Sequence, residues 1–269
     1  YIGETTEKDF TSGGQILSVE EATEAYVGKL NPIFPTKTDE KGEVKNVSFN
    51  LGKKKTSTIK VAKPRVFIPA FPGTNCELDT KRSFDKAGAE TEIFVVKNLT
   101  ASDVEESVDE IVKHIKRANI IAFPGGFSGG DEPDGSGKFI ATTFRNPKIK
   151  EAITELLEKK DGLILGICNG FQALVKLGLV PYGEIRPMTE QSPTLTFNTI
   201  PRHVSTMVDV RVASNKSPWL NSLKVGDVYS VAVSHGEGKF IATDKTLDEL
   251  IENGQIATQY VKGANATME

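Results

Sequence analysis

The sequence predicts an α/β protein, a parallel sheet with helices on both faces, followed by an antiparallel extension. Three observations carry that expectation. Between Pro64 and Gly166 short apolar runs alternate with amphipathic stretches of helical period. The runs are rich in Val, Ile and Phe with little polar alternation, as strands buried on both faces must be. After residue 185 several strand-like stretches follow one another with no helical period between them.

The first 36 residues hold "SVEEATEAYVGKL", which reads as a short helix closed by "NPIFPTK". Residues 37–63 are charged and poor in large apolar side chains, so they read as a linker with at most one strand, "VSFNL". "RVFIPAF" is the first buried strand, and "NCELDTKRSFDKAGA" a helix ending at Gly88. "TEIFVV" is the second strand. Ser102 and Glu105 spell a capping box, and Val104, Val108, Ile111, Val112 and Ile115 recur at helical spacing. "NIIAFPGG" is the third strand, Ile149, Ile153, Leu156 and Leu157 mark a further helix, and "GLILGI" is the fourth strand. "TLTFNTI", "TMVDVRVA", "DVYSVAV" and "QIATQYV" supply the extension. The main domain is thus expected over 64–269.

Bulk composition excludes several functions. Net charge is −3, with 33 basic and 36 acidic residues well mixed, which gives no nucleic-acid footprint. The one basic run, "GKKKTSTIK", reads as solvated linker. No apolar run approaches the ~20 residues a membrane helix needs, and no signal peptide opens the sequence. An opening Tyr1 in place of Met reads as a piece of a longer chain. Two cysteines make no disulfide framework and suit a reducing cytoplasm.

Ligands of parallel α/β sheets sit at the carboxyl ends of the strands, and three features fall there. Cys168 stands at the strand-to-helix turn "GICNG". Glycines on both sides let the chain turn sharply and push the sulfur outward. The helix that follows, with Phe171, Leu174 and Val175 facing inward, aims its free N–H groups at that sulfur and favours thiolate, the nucleophilic form. A small buried cysteine at a crowded turn is the plain alternative. For Cys76, after "PGTN", that plain reading prevails because no partner group is evident. The second feature is "FPGGFSGGDEPDGSGKF". It fails G-x-x-x-x-G-K-[ST], because Phe139 follows Lys138, and it is not G-x-G-x-x-G. Its backbone N–H groups suit an oxyanion, with Gly126 and the Asn169 amide as the donors. The third is "SVAVSHGEGKF". A cysteine nucleophile works with a base, normally His, oriented by a carboxylate or amide. Of the three histidines, His114 lies in an amphipathic helix and reads as a surface residue, and His203 as a structural or rim residue. His235, two before Glu237, has the site-like context, so the residues alone nominate His235 as base and Glu237 as its orienter.

Together "FPGTNCELDT", "AFPGGFSGGDEPDGSGKF", "GICNGFQ" and "SHGEGKF" resemble class I glutamine amidotransferases, within them the glutaminase domains of the phosphoribosylformylglycinamidine synthase family. The match runs in order from about residue 64 to 262. It implies a flavodoxin-like fold and Cys168 attacking the side-chain amide of glutamine to give a thioester and ammonia. Gly126 and Asn169 would hold the oxyanion, and Gly125, Gln172, His235 and Glu237 would bind glutamine. No metal or cofactor is implied in this domain. ATP and Mg²⁺ would serve the synthase portion that consumes the ammonia, and residues 1–36 resemble that portion's C-terminal edge. The resemblance also places the relay His and Glu in a later H-x-E-R motif, which this sequence does not contain. On that reading His235 and Glu237 belong to the pocket turn, and the 269 residues alone would lack the relay. The competing expectations are a non-catalytic regulatory or binding domain of the same fold, or a different enzyme with its cysteine at such a turn. The latter calls for a carboxylate on the first strand, where "PAFPGTN" offers none.

Overall fold

Two short strands open the chain, β1 (Asp9–Ser12) and β2 (Gln15–Ser18), paired antiparallel, and α1 (Val19–Gly28) follows. Ser18 caps α1, accepting from the Glu21 N–H while the Glu21 carboxylate accepts from the Ser18 N–H. α1 buries none of its residues, and Phe10, Ile16 and Tyr26 stand exposed. None of the described residues among 9–35 is buried. The computed structural model describes residues 9–33, 35, 44–53, 56–57, 59–129, 137–200, 202–263 and 265–267. Parts of the expected linker and of the glycine-rich loop (130–136) lie outside the described residues.

The main domain begins with β3 (Arg65–Ala70), then α2 (Glu77–Lys86), β4 (Glu90–Val95), α3 (Ala101–Arg117), β5 (Ile120–Phe123), α4 (Lys138–Phe144), α5 (Pro147–Lys159), β6 (Leu163–Gly166) and α6 (Asn169–Leu177). The strands form one parallel sheet in the order β4-β3-β5-β6. Both faces of that sheet are buried, which is why the strands read as unbroken apolar runs. Alternation along β3 sends Phe67 into one core, with Ile111 and Ile115 of α3, Phe144 of α4, Ile153 of α5 and Leu177 of α6. Val66 and Ile68 go to the opposite face, with Ala122 and Phe84. Pairing of β3 with β5 runs over Val66 and Phe67 only. It stops short of Pro69, which has no N–H to donate.

Then come α7 (Leu179–Tyr182), β7 (Thr194–Thr196), β8 (Val204–Val212), β9 (Val228–His235), β10 (Lys239–Ile241), α8 (Asp244–Glu252), β11 (Thr258–Lys262) and β12 (Asn265–Ala266). β7 pairs with β10, and β12-β11-β8-β9 form an antiparallel sheet, so the expected extension is present. The expectation that no helix separates these strands is corrected: α8 lies between β10 and β11. α8 buries only Leu250, although Leu247, Leu250 and Ile251 stand at helical spacing.

Two local expectations are corrected. α3 is capped two residues earlier than Ser102: Thr100, in extended conformation, accepts from the Asp103 N–H, and Asp103 accepts from the Thr100 N–H. A short carboxylate at N3 closes the box as Glu does. His114 is not a surface ring. It stacks on Phe67 with centroids 5.0 Å apart, contacts Phe94, and meets the Glu92 carboxylate at 3.0 Å. Within the expected linker, residues 45–51 lie against the antiparallel sheet. Phe49 N–H donates to Ala213 O, Val47 N–H to Gln259 Oε1, and buried Arg211 reaches the Val47 carbonyl. "VSFNL" forms no strand of its own; its Phe49 makes a single parallel bridge to Ser214.

Candidate active site

The strand order decides what meets at the carboxyl edge. Because β5 lies between β3 and β6, the loop after β5 is flanked by the loop after β3 and by the turn after β6. Cys76 ends the first of these flanks and Cys168 forms the second. Each is the N-cap residue of a helix, Cys76 of α2 and Cys168 of α6. Neither is in a disulfide, and both are exposed. A Cβ built on Gly125 would stand 3.4 Å from the Cβ of Cys168 and 3.6 Å from the Sγ of Cys76, so Gly125 is packed between the two cysteines.

The backbone at Cys168 is held at φ 51°, ψ −110°, a region that non-glycine residues rarely occupy. The strain is enforced on both sides. A Cβ at Gly170 would lie 2.2 Å from the Phe123 carbonyl oxygen, and one at Gly166 would lie 2.7 Å from Leu174 Cδ1. α6 therefore starts flush against β5 and β6, and the side chain between the glycines can only turn outward. The Cys168 sulfur lies 4.0 Å from the carbonyl oxygen of Ser234 on β9, which brings the antiparallel sheet to this turn.

The loop after β5 is clasped by the loop after β3. Phe127 N–H donates to Gly73 O, Asn75 N–H to Gly125 O, and Gly129 N–H to Pro72 O. Between the first two bonds Gly126 faces Thr74 as the non-bonded pair of an antiparallel bridge, so its N–H is turned away from the clasp. Gly126 has φ 144°, and a Cβ there would stand 2.6 Å from Gly73 O, so only glycine fits. Among the described residues the N–H groups of Gly126 and Asn169 donate to no protein acceptor. Ser128 is buried, its N–H donates to Asn169 Oδ1, and its Oγ makes no hydrogen bond among the described residues.

Gln172 is buried, not held out into open space. Its Oε1 accepts from Asn169 Nδ2 and its Nε2 donates to the Glu237 carbonyl at 2.9 Å. Thus α6 is tied to the His235–Gly238 turn. His235 is half-buried, and its Nδ1 meets Asn198 Oδ1 at 3.0 Å, where the residues alone had nominated Glu237 as orienter. Burial, and next the charge of nearby His203, hold the His235 pKa below its ordinary value. His203 Nε2 bonds Ser234 Oγ at 2.8 Å, so this rim histidine bonds the same residue whose carbonyl faces the sulfur. Sequence reading missed Asn198, a single polar residue in "TFNTI" with no motif around it. The Cys76 thiol is pushed up by burial and then by the carboxylates of Asp79 and Glu77. That disfavours its thiolate.

With this geometry in place the chain was compared with known proteins. Residues 63–269 match the CobB/CobQ-like glutamine amidotransferase domain. The chain is 36% identical over 202 residues to the phosphoribosylformylglycinamidine synthase subunit PurQ of Methanococcus maripaludis, a match covering 73% of this chain and 66% of that relative, just under two thirds. It is 31% identical to the subunit of that name from Campylobacter jejuni, covering 76% and 77%. Among solved structures it resembles PurLQS from Thermotoga maritima, with a TM-score of 0.53, 25% identity, and coverage of 76% and 77%.

Proposed function

The chain belongs to the CobB/CobQ-like glutamine amidotransferase family, and on that footing we propose that it cleaves glutamine at Cys168 and hands the ammonia to a phosphoribosylformylglycinamidine synthase portion. The observation that carries this reading is the placement of Cys168, exposed on a strained turn at a helix start with Gly125 packed beside it.

The helix start favours negative charge on the sulfur. The sulfur attacks the side-chain amide carbon of glutamine, and the oxygen that becomes anionic is held by the Gly126 and Asn169 N–H groups. The carbon–nitrogen bond then breaks as the nitrogen takes up the proton released when the thiol ionised, ammonia leaves, and a thioester remains. Water adds to the thioester, the carbon–sulfur bond breaks, and glutamate and the thiol are released. Gly125, Gln172, His235 and Glu237 form the glutamine side of the pocket, Gln172 acting through its bond to the Glu237 carbonyl. We assign the proton relay to a later H-x-E-R motif, as the family resemblance implies, and His235 to the pocket turn, where Asn198 holds its Nδ1.

Ammonia would pass to the synthase portion, which converts formylglycinamide ribonucleotide to the amidine with ATP and Mg²⁺. The family resemblance alone places both cofactors in the synthase portion. The exposed apolar side chains of β1, β2 and α1 suit contact with that portion. No described helix is long and apolar enough to cross a membrane, and we place the reaction in the cytoplasm.

The test uses the complete enzyme and 6-diazo-5-oxonorleucine, a glutamine-like electrophile. A covalent adduct on Cys168 is expected. Cys168→Ala should lower glutamine-dependent synthesis by about 10⁴-fold or more while ammonia-dependent synthesis continues. No adduct, or an adduct on Cys76, rejects the mechanism. Loss of both activities would mean that the cysteine serves the fold.

A further inference from the structure

The turn His235–Gly238 runs from the end of β9, where His235 still pairs with Val204, to β10 in another sheet, so neither sheet fixes its residues 236–238. One side chain does. Asn198 donates its backbone N–H to Gly236 O at 2.8 Å. Its Oδ1 accepts from the Gly238 N–H at 3.2 Å and from His235 Nδ1 at 3.0 Å. Its Nδ2 donates to the carbonyls of His235 at 2.8 Å and Arg202 at 3.1 Å. Two donors face the oxygen and two acceptors face the nitrogen, so the amide can stand only one way round. That orientation also sets the His235 ring: Nδ1 carries the proton and Nε2 the lone pair.

The held turn contains the Glu237 carbonyl, which accepts from Gln172 Nε2. Gln172 in turn accepts from Asn169 Nδ2, and Asn169 Oδ1 accepts from the Ser128 N–H. A continuous run of bonds thus joins Asn198 to the helix that starts at Cys168 and to the loop after β5. Packing reinforces the turn, because a Cβ at Gly238 would lie 2.1 Å from the His235 ring. Resting on the assignment of Cys168 as the glutamine-cleaving nucleophile, we propose that Asn198 is a positioning residue for the glutamine pocket, holding the His235–Gly238 turn where its Glu237 carbonyl meets Gln172. It touches no reacting atom. Its effect falls on how glutamine is seated, not on the reactivity of the sulfur.

The experiment compares Asn198→Ala and Asn198→Asp with the parent in the complete enzyme. Glutamine KM should rise about tenfold in both variants, the scale of losing one to two net hydrogen bonds, with kcat changing by less than about threefold. The concentration of 6-diazo-5-oxonorleucine needed for half-maximal labelling should rise in parallel. Alkylation of Cys168 by iodoacetamide, which needs no seated glutamine, should stay within about twofold. Asn198→Asp is the discriminating variant. Aspartate fills the same volume but as a carboxylate cannot donate to the His235 and Arg202 carbonyls, so a space-filling role predicts the parent KM. That result would overturn the proposal even if Asn198→Ala failed to fold. An unchanged KM in folded Asn198→Ala, or iodoacetamide alkylation slowed as strongly as glutamine use, would do the same. Parent enzyme labelled at Cys168 alongside unaffected variants refutes this inference alone. Parent enzyme left unlabelled refutes the glutaminase reading and this inference with it.

Discussion

Replacing Gly170 by alanine tests whether α6 seats against the sheet as the strained turn at Cys168 requires. The added Cβ would meet the Phe123 carbonyl oxygen at 2.2 Å, its carbonyl carbon at 2.7 Å and its Cβ at 2.6 Å. The first two are backbone atoms of β5, in the middle of a four-stranded sheet, and cannot rotate away. Relief needs α6 to withdraw by about 1 Å, the difference between the built contact and ordinary carbon–oxygen separation. Overpacking of this kind costs about 1–3 kcal/mol, and a backbone obstacle puts this case at the upper end. For a domain of this size that is a fall in Tm of roughly 6–12 °C. The same 1 Å shift displaces Cys168 and the Asn169 N–H, so labelling by 6-diazo-5-oxonorleucine should slow by about 10²-fold. Differential scanning calorimetry and mass spectrometry of the adduct read the two effects. Gly28→Ala is the control, since its nearest neighbour would be Asn31 Nδ2 at 4.0 Å, and its stability should change by less than about 0.5 kcal/mol. A Gly170→Ala protein with parental Tm and labelling rate would refute the seating of α6 against Phe123.

Two further outcomes are expected. Iodoacetamide near neutral pH should modify Cys168 well before Cys76, because burial and the carboxylates of Asp79 and Glu77 hold the Cys76 thiol protonated; Cys76 reacting first in a peptide map would contradict this. His235 titrates below 6.5 in the folded chain, so the unfolded chain binds its proton first, and stability should decline as pH falls below 6.5. Removing the second cause with His203→Gln should move the His235 midpoint upward in an NMR titration, and an unmoved midpoint would show that burial acts alone.

Much of this architecture was legible because its cause is local. β3 and β5 are inner strands covered on both faces, and a strand in that position has no polar side to show. α3 and α5 are covered on one face, and Ile111, Ile115, Ile149 and Ile153 write the period directly. Where the cause was distant the reading faltered. His114 looked exposed beside Lys113, yet its ring is stacked by Phe67 and Phe94 from two strands. Residues 45–51 looked like connector because their partners, Arg211, Ala213 and Gln259, lie more than 160 residues away.

The sequence by itself determined the kind of chemistry: a thiol between glycines at a strand-to-helix turn, a glycine-rich loop and a histidine turn, each readable from a few consecutive residues. Only the tertiary structure decided which of those groups meet. Strand order β4-β3-β5-β6 puts the Gly125–Gly126 loop between Cys76 and Cys168. Asn198, with no motif around it, takes the His235 ring that adjacency in sequence had given to Glu237. Backbone conformation is set by neighbours in the chain, whereas hydrogen-bond partners are set by which loops the sheet order brings within about 3 Å of each other.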